Sequence, residues 1–120
     1  MTKKEFQQRM AQGPLILDGA TGSNLLKAGM PRGVCSELWI SQHPEPLLEL
    51  QRAYIEAGSH VVYAPTFLAN PLSLESHQLA HETKRLNHTL VRISREAADG
   101  RAWVAGDIST TGKLMEPAGE

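Results

Sequence analysis

The sequence has one cysteine, almost no net charge and no long apolar run, and each shortage excludes a class of protein. A single thiol, at Cys35, cannot form an internal disulfide, so we expect a cytoplasmic protein in a reducing compartment. Twelve Lys and Arg against 13 Asp and Glu leave a net charge of −1, without a basic field for nucleic acid. No apolar run reaches the roughly 18 residues of a membrane span, and the N-terminus lacks a signal-peptide core. We therefore expect neither a nucleic-acid nor a membrane partner.

Three short apolar segments, each followed by turn or polar residues, predict buried strands. They are Leu15–Leu17, His60–Ala64 and Ala102–Gly106. Because they are apolar throughout and alternate with helical patterns, they favour a parallel sheet covered by helices, in the order β-α-β-α-β. The 120 residues allow at most one ordinary domain.

Helical periodicity predicts helices over residues 3–12, 23–28, 44–58, 73–80 and 82–99, and residues 30–42 are expected to be irregular. The two longest helices each have one apolar face. The predicted faces are Leu47, Leu50, Tyr54 and Ala57 on the first, and Leu86, Leu90, Ile93 and Ala97 on the second.

Two α/β architectures fit this order of elements, a doubly wound sheet and a (β/α)8 barrel. Both place ligands at the carboxyl ends of their parallel strands. Polar residues follow each predicted strand here, at Asp18, Thr66 and Asp107. We therefore expect one small-molecule site at that end of the sheet.

The segment after the first predicted strand has the composition of an amino-acid site. Asp18 ends the strand, and the turn from Gly19 to Gly22 can expose backbone N–H groups beside it. The carboxylate would take an ammonium group, and the amides would take a carboxylate. The simpler alternative is that Asp18 caps the turn, since Asp before Gly is common turn chemistry.

Other polar residues favour structural roles. His77 and His81 have the i, i+4 spacing of helical metal ligands, but a solvated surface is the favoured interpretation. Cys35 is expected to be a buried, inert thiol. For Asp107, a pocket role and a turn hydrogen bond are equally plausible.

Four motifs in register give the chain a resemblance to a known family. They are Leu17-Asp-Gly-Ala-Thr-Gly22, Tyr54-Ile-Glu-Ala-Gly58, Thr66-Phe-Leu-Ala-Asn70, and Ala105-Gly-Asp-Ile108 with Thr111-Gly112. Their order and spacing resemble the start of the homocysteine-binding barrel of the homocysteine S-methyltransferase family. The resemblance extends from about Leu15 to Gly119.

The resemblance implies a fold, a reaction and a set of site residues. It implies an α/β fold, the amino-terminal part of a (β/α)8 TIM barrel with about three parallel strands and flanking helices. The reaction would be methyl transfer to the thiol of homocysteine, giving methionine, with zinc held by three cysteine thiolates. Asp18 would bind the homocysteine ammonium, and the backbone of Gly19 and Ala20 its carboxylate. Thr66 and Phe67 would line the same pocket.

The chain departs from the family pattern at two points. Pro65 replaces an amide residue before Thr66, and the zinc-binding cysteines have no counterpart here, so we assign no catalytic or metal-binding residue. A complete barrel takes about 250 residues. We therefore expect residues 1–120 to be the amino-terminal fragment of a homocysteine-binding domain, inactive alone. Zinc, and a corrinoid or folate methyl donor, would belong to the complete enzyme.

Two alternatives belong to other functional classes. The chain could be a non-catalytic assembly module, because an open parallel sheet exposes apolar surface and strand edges that self-association or a complementing chain would cover. It could also be a flavodoxin-like module that binds an acidic small molecule, in which case it would not bind homocysteine.

Overall fold

The computed structural model describes residues 1–114 and 116–119, which form two short strands and a set of helices that cover one face of the sheet. The α-helices are α1 (Lys3–Met10), α2 (Gly22–Lys27), α3 (Ser36–Gln42), α4 (Glu45–Glu56), α5 (Pro71–Glu75) and α6 (Thr83–Ala98). A 3₁₀ helix covers Ala80–Glu82, and the strands are β1 (Val61–Tyr63) and β2 (Trp103–Ala105). None of these helices combines the length and the apolar character needed to cross a membrane.

The sheet is parallel, as expected, but it has two strands in the described residues rather than about three. Val61 of β1 lies opposite Trp103 of β2. The predicted first strand is reduced to one isolated parallel bridge, between Leu17 and Val61. One cause is that the Ile16 N–H donates to the imidazole Nδ1 of His60, at 3.0 Å, instead of to a carbonyl of the neighbouring strand. A side chain therefore interrupts the backbone ladder on that side.

Most predicted helices are present, with two differences. Residues 30–42 were expected to be irregular, but they contain α3, whose Glu37 and Ile40 are buried. A seven-residue helix is too short to show a clear period, so its packing rather than its sequence pattern stabilises it. The helix expected at residues 73–80 is instead α5, which begins at Pro71 and is followed by a 3₁₀ turn. Asn70 caps it, because its side-chain oxygen accepts from the Ser73 N–H at 2.9 Å.

Most of the core lies among the helices and includes residues of α2 to α6, and a smaller cluster of Ile55, Val62 and Ala98 packs α4 and α6 on the sheet. The predicted face of α6 is confirmed, since Leu86, Leu90, Ile93 and Ala97 are all buried. The predicted face of α4 is wrong in part. The buried residues of this helix are Leu47, Leu48, Gln51 and Ile55. The buried face thus includes a polar residue, and Gln51 donates to the Tyr63 carbonyl of β1 at 2.8 Å, so a hydrogen bond as well as apolar contacts joins this helix to the sheet.

One face of the sheet packs on the helices and the other does not. Val62, on the helix side, is fully buried, whereas Leu17 and Tyr63 on the other side are 46% and 37% exposed. We call this second surface the open sheet face. It lines an apolar concavity of about 550 Å³, which also includes Phe6 and Met10 of α1.

The turn after Asp18 is pressed against α4. A Cβ added at Gly19 would lie 2.9 Å from the hydroxyl oxygen of Tyr54 and 3.0–3.1 Å from two of its ring carbons. Gly22, at the start of α2, has no such neighbour within 4 Å. A side chain at Gly19 would therefore have to displace the Tyr54 ring, whereas one at Gly22 would meet open space.

Substituting each of these two glycines by alanine tests whether a methyl group is accommodated at the crowded position, Gly19, and at the open one, Gly22. We expect Gly19→Ala to lower the free energy of unfolding by about 1–3 kcal/mol, because the methyl group overlaps the Tyr54 ring. Gly22→Ala, the matched control, is expected to be neutral or stabilising by up to about 1 kcal/mol, since it lies in open space in a helix. Urea unfolding followed by circular dichroism measures both. Equal effects of the two substitutions would contradict the packing role of Gly19.

Candidate functional site

Asp18 lies at the edge of β1, held by two hydrogen bonds. Its backbone N–H donates to the Val61 carbonyl at 3.0 Å, and its carboxylate oxygen Oδ2 accepts from the Tyr63 N–H at 3.1 Å. The side chain is half-buried, and no Lys, Arg or His of the described residues lies within ion-pair distance of it. The result is a positioned carboxylate without a cation.

Burial shifts the titration of this carboxylate. Desolvation raises the pKa of Asp18 above its ordinary value, the hydrogen bond from Tyr63 opposes this rise, and the nearby negative charge of Asp107 adds to it. A bound ammonium group would reverse the effect, because an opposite charge favours the ionised form. The site is thus electrostatically suited to a cationic ligand group.

In the turn beside Asp18, the Ala20 carbonyl accepts hydrogen bonds, whereas the N–H groups of Gly19 and Ala20 donate none within the described residues. The Ala20 carbonyl accepts from the Tyr54 hydroxyl and from the Asn24 side-chain amide, both at 2.8 Å. Within the part of the chain that the structure describes, the N–H groups of Gly19 and Ala20 have no hydrogen-bond acceptor. Both residues are exposed and directly follow Asp18 in the chain, so two unpaired donors are available beside this residue.

Thr66 connects the carboxyl ends of β1 and β2. Its hydroxyl donates to the Asp107 carbonyl at 2.8 Å and is 2.9 Å from the Asp107 N–H, which donates to it. The residue is buried, so its side chain is used within the protein rather than offered to a ligand. Phe67 lies beyond it with its side chain 52% exposed. The five predicted site residues therefore lie at one end of the sheet, with different accessibility.

The described residues do not fit a zinc site. They contain no cluster of three or more His, Cys, Asp or Glu side chains that could hold a metal ion. Cys35 is buried, as expected, and burial raises the pKa of its thiol, which disfavours the thiolate that zinc requires. His77 and His81 likewise belong to no metal cluster among these residues.

Sequence reasoning missed the residues that hold the site in place. Tyr54 and Gln51 of α4 contact the turn and β1, and Asn24 contacts Ala20. Tyr54 belongs to a quoted motif, but it was assigned to an apolar face. Gln51 had a detectable signal, because it lies four residues after Leu47 and four before Ile55, where a helical face would otherwise be apolar.

Three comparisons agree on what the chain is similar to. The family model described as homocysteine S-methyltransferase matches residues 15–120. A betaine–homocysteine S-methyltransferase 1 of Danio rerio is 30% identical over 115 residues, which cover 92% of this chain and 29% of that protein. The Bos taurus protein of the same name is 33% identical over 116 residues, covering 91% and 28%.

Solved structures match the fold. The metallated form of the homocysteine methyltransferase MmuM from Escherichia coli has a TM-score of 0.75 at 21% identity, covering 89% of this chain and 42% of that one. Its oxidized form has a TM-score of 0.67 at 24% identity, covering 79% and 37%. The chain thus spans less than a third of the two curated relatives and less than half of MmuM.

The α/β fold therefore corresponds to part of a (β/α)8-barrel enzyme. The family model covers most of the chain, including every motif that suggested the resemblance. The chain belongs to the homocysteine S-methyltransferase family.

Proposed function

We propose that residues 1–120 are the amino-terminal part of a zinc-dependent enzyme that transfers a methyl group to homocysteine. In this proposal the chain holds the amino-acid end of the substrate. The observation that carries it is the half-buried, cation-free carboxylate of Asp18 beside the free amides of Gly19 and Ala20. The family membership supplies the substrate class.

The chain's contribution to the reaction is binding and orientation. Asp18 takes the substrate ammonium, and the amides of Gly19 and Ala20 take the α-carboxylate. With both ends of the amino-acid group held, the side chain can extend in only a few directions, and the sulfur is presented to the rest of the enzyme. The sulfur loses its proton and attacks the methyl carbon of the donor; the S–C bond forms as the bond to the donor breaks, its electron pair leaves with the demethylated donor, and methionine results.

Zinc and the methyl donor are assigned to the remainder of the enzyme. The described residues contain no cluster that could ligate a metal. One support for a metal in the complete protein is that MmuM was solved in a metallated form. Thr66 and Phe67 are proposed to border the pocket, Thr66 by joining the strand ends and Phe67 by its exposed ring.

A second candidate function is a non-catalytic assembly module. The open sheet face favours it, because an apolar concavity of about 550 Å³ beside exposed Leu17 and Tyr63 is suited to self-association or a complementing chain. Light scattering tests it: a single defined oligomer supports the module, whereas heterogeneous aggregates are expected of an enzyme fragment.

Replacing Asp18 with asparagine tests the ammonium site. Asp18→Asn keeps an oxygen that can accept from the Tyr63 N–H but removes the charge. We expect the affinity for homocysteine, measured by calorimetry, to fall about 10- to 100-fold, the usual range for losing a hydrogen bond to a charged group. Asp99→Asn is the matched control, because Asp99 is exposed in a left-handed conformation that Asn also adopts. Unchanged affinity in Asp18→Asn would eliminate Asp18 as the ammonium ligand.

The pH dependence of binding follows from the raised pKa of Asp18. Only the ionised carboxylate attracts an ammonium, so homocysteine affinity should rise as the pH increases through the pKa of Asp18, which burial raises above its ordinary value. The contribution of Asp18 to the free energy of unfolding should change with pH in the opposite direction. A raised carboxyl pKa means that the folded state binds the proton more tightly, so this contribution is complete at low pH and lost as the pH rises through the folded pKa. Calorimetry and urea unfolding across that range measure the two trends, and both should disappear in Asp18→Asn.

Catalysis should require more than this chain. We expect no methyl transfer from the purified 120 residues with stoichiometric zinc and a methyl donor, because the described residues have no metal-binding cluster. Methionine formation is measured by mass spectrometry, with MmuM as the positive control. Sustained turnover by the chain alone would disprove the fragment proposal.

A further inference from the structure

Two side chains hydrogen-bond to the backbone of β1 where a neighbouring strand would otherwise pair with it. In a parallel strand, the N–H and C=O of one residue point to the same side, and alternate residues face alternate neighbours. Val61 faces the first segment, with its N–H 3.3 Å from the Ile16 carbonyl and its own carbonyl accepting from Asp18 N–H. Tyr63, two residues later, faces the same way, but the first segment has already turned away at Gly19.

The two backbone groups of Tyr63 are therefore satisfied by side chains. Its N–H donates to Oδ2 of Asp18 at 3.1 Å, and its carbonyl accepts from Nε2 of Gln51 at 2.8 Å. If the parallel ladder continued by one more step, the donor to the Tyr63 carbonyl would be the N–H of Ala20. The Gln51 amide stands in place of that donor.

We propose that Gln51 is a positioning residue, which occupies the Tyr63 carbonyl so that the Ala20 N–H stays free for a ligand and Asp18 stays held at the Tyr63 N–H. The contribution of this role to substrate binding rests on the proposed function. That the Gln51 amide, and not the Ala20 N–H, donates to the Tyr63 carbonyl does not depend on it.

The environment of Gln51 agrees with a role in positioning rather than in stability. Its side chain is 1% exposed on the buried face of α4. The other amide atom, Oε1, is buried without a partner among the described residues. An unpartnered buried oxygen is costly, so an apolar residue of similar shape would be favoured if packing alone mattered.

A second residue of α4 also positions the turn that follows Asp18. Tyr54, three positions after Gln51, donates to the Ala20 carbonyl at 2.8 Å and packs its ring on Gly19. This contact keeps the turn directed away from β1. One helix thus holds both the strand end and the turn between which a ligand would lie.

The test uses NMR and calorimetry on the 120-residue chain with Gln51→Met, which keeps the size of the side chain but removes the amide. Glu49→Met, on the exposed side of α4, is the matched control. We expect the Tyr63 and Ala20 amide signals to shift, the Asp18 carboxyl titration to move, and homocysteine affinity to fall about tenfold, with little change in the urea midpoint. Glu49→Met should change none of them.

The outcomes separate this proposal from the proposed function. If wild-type chain binds no homocysteine, the proposed function fails, and the Tyr63, Ala20 and Asp18 signals still decide the role of Gln51. If these signals do not move in Gln51→Met, the positioning role is overturned. Should that variant not fold, wild-type hydrogen exchange decides: fast exchange at the Ala20 amide supports a free donor, and slow exchange at this amide overturns the proposal.

Discussion

The hydrogen bonding of β1 on its two sides is the constraint on which the rest of the structure depends. On one side the strand pairs in register with β2. On the other side a single bridge to Leu17 is followed by a turn, and side chains complete the pattern. The regular side holds the sheet and its helices together. The irregular side leaves a carboxylate and backbone amides at the carboxyl end of the strands, where α/β proteins bind ligands.

This arrangement explains why one short segment can be both structural and functional. Asp18 accepts a hydrogen bond from the Tyr63 N–H with one carboxylate oxygen, so it is tied to the neighbouring strand rather than capping the turn that follows it. The same bond orients the carboxylate without neutralising it. A structural role at the strand and a ligand-binding role are thus compatible for Asp18. The family membership gives a reason to favour homocysteine as the ligand.

The open sheet face relates the chain to its longer relatives. In the part of the chain that the structure describes, the helices cover one side of the sheet, while Leu17 and Tyr63 remain substantially exposed on the other. In a (β/α)8 barrel, the corresponding face points into a packed interior. The relatives and MmuM are longer than this chain by a factor of two or more, which fits an interior completed by further strands.

The predictive power of the sequence was greatest where a pattern was long. The 16-residue helix α6 shows a full apolar face, and that face is buried as predicted. α3 has only seven residues and could not be recognised from its period. The face of α4 was misassigned because the periodicity counted Tyr54 as part of the apolar core. In the structure, the Tyr54 hydroxyl donates to the Ala20 carbonyl. The buried position on this helix is instead occupied by Gln51.

By itself, the sequence determined the alternation of elements, the parallel sheet and the family, because these depend on composition, period and motif order along the chain. It also indicated Asp18 and its glycine turn, since turn chemistry is local. Only the tertiary structure decided that the first strand shrinks to one bridge, and that Gln51 and Tyr54 from a distant helix complete it. The physical reason is that a hydrogen bond between Gln51 and Tyr63, or between Tyr54 and Ala20, depends on how α4 is rotated against the sheet, and no local pattern encodes that rotation.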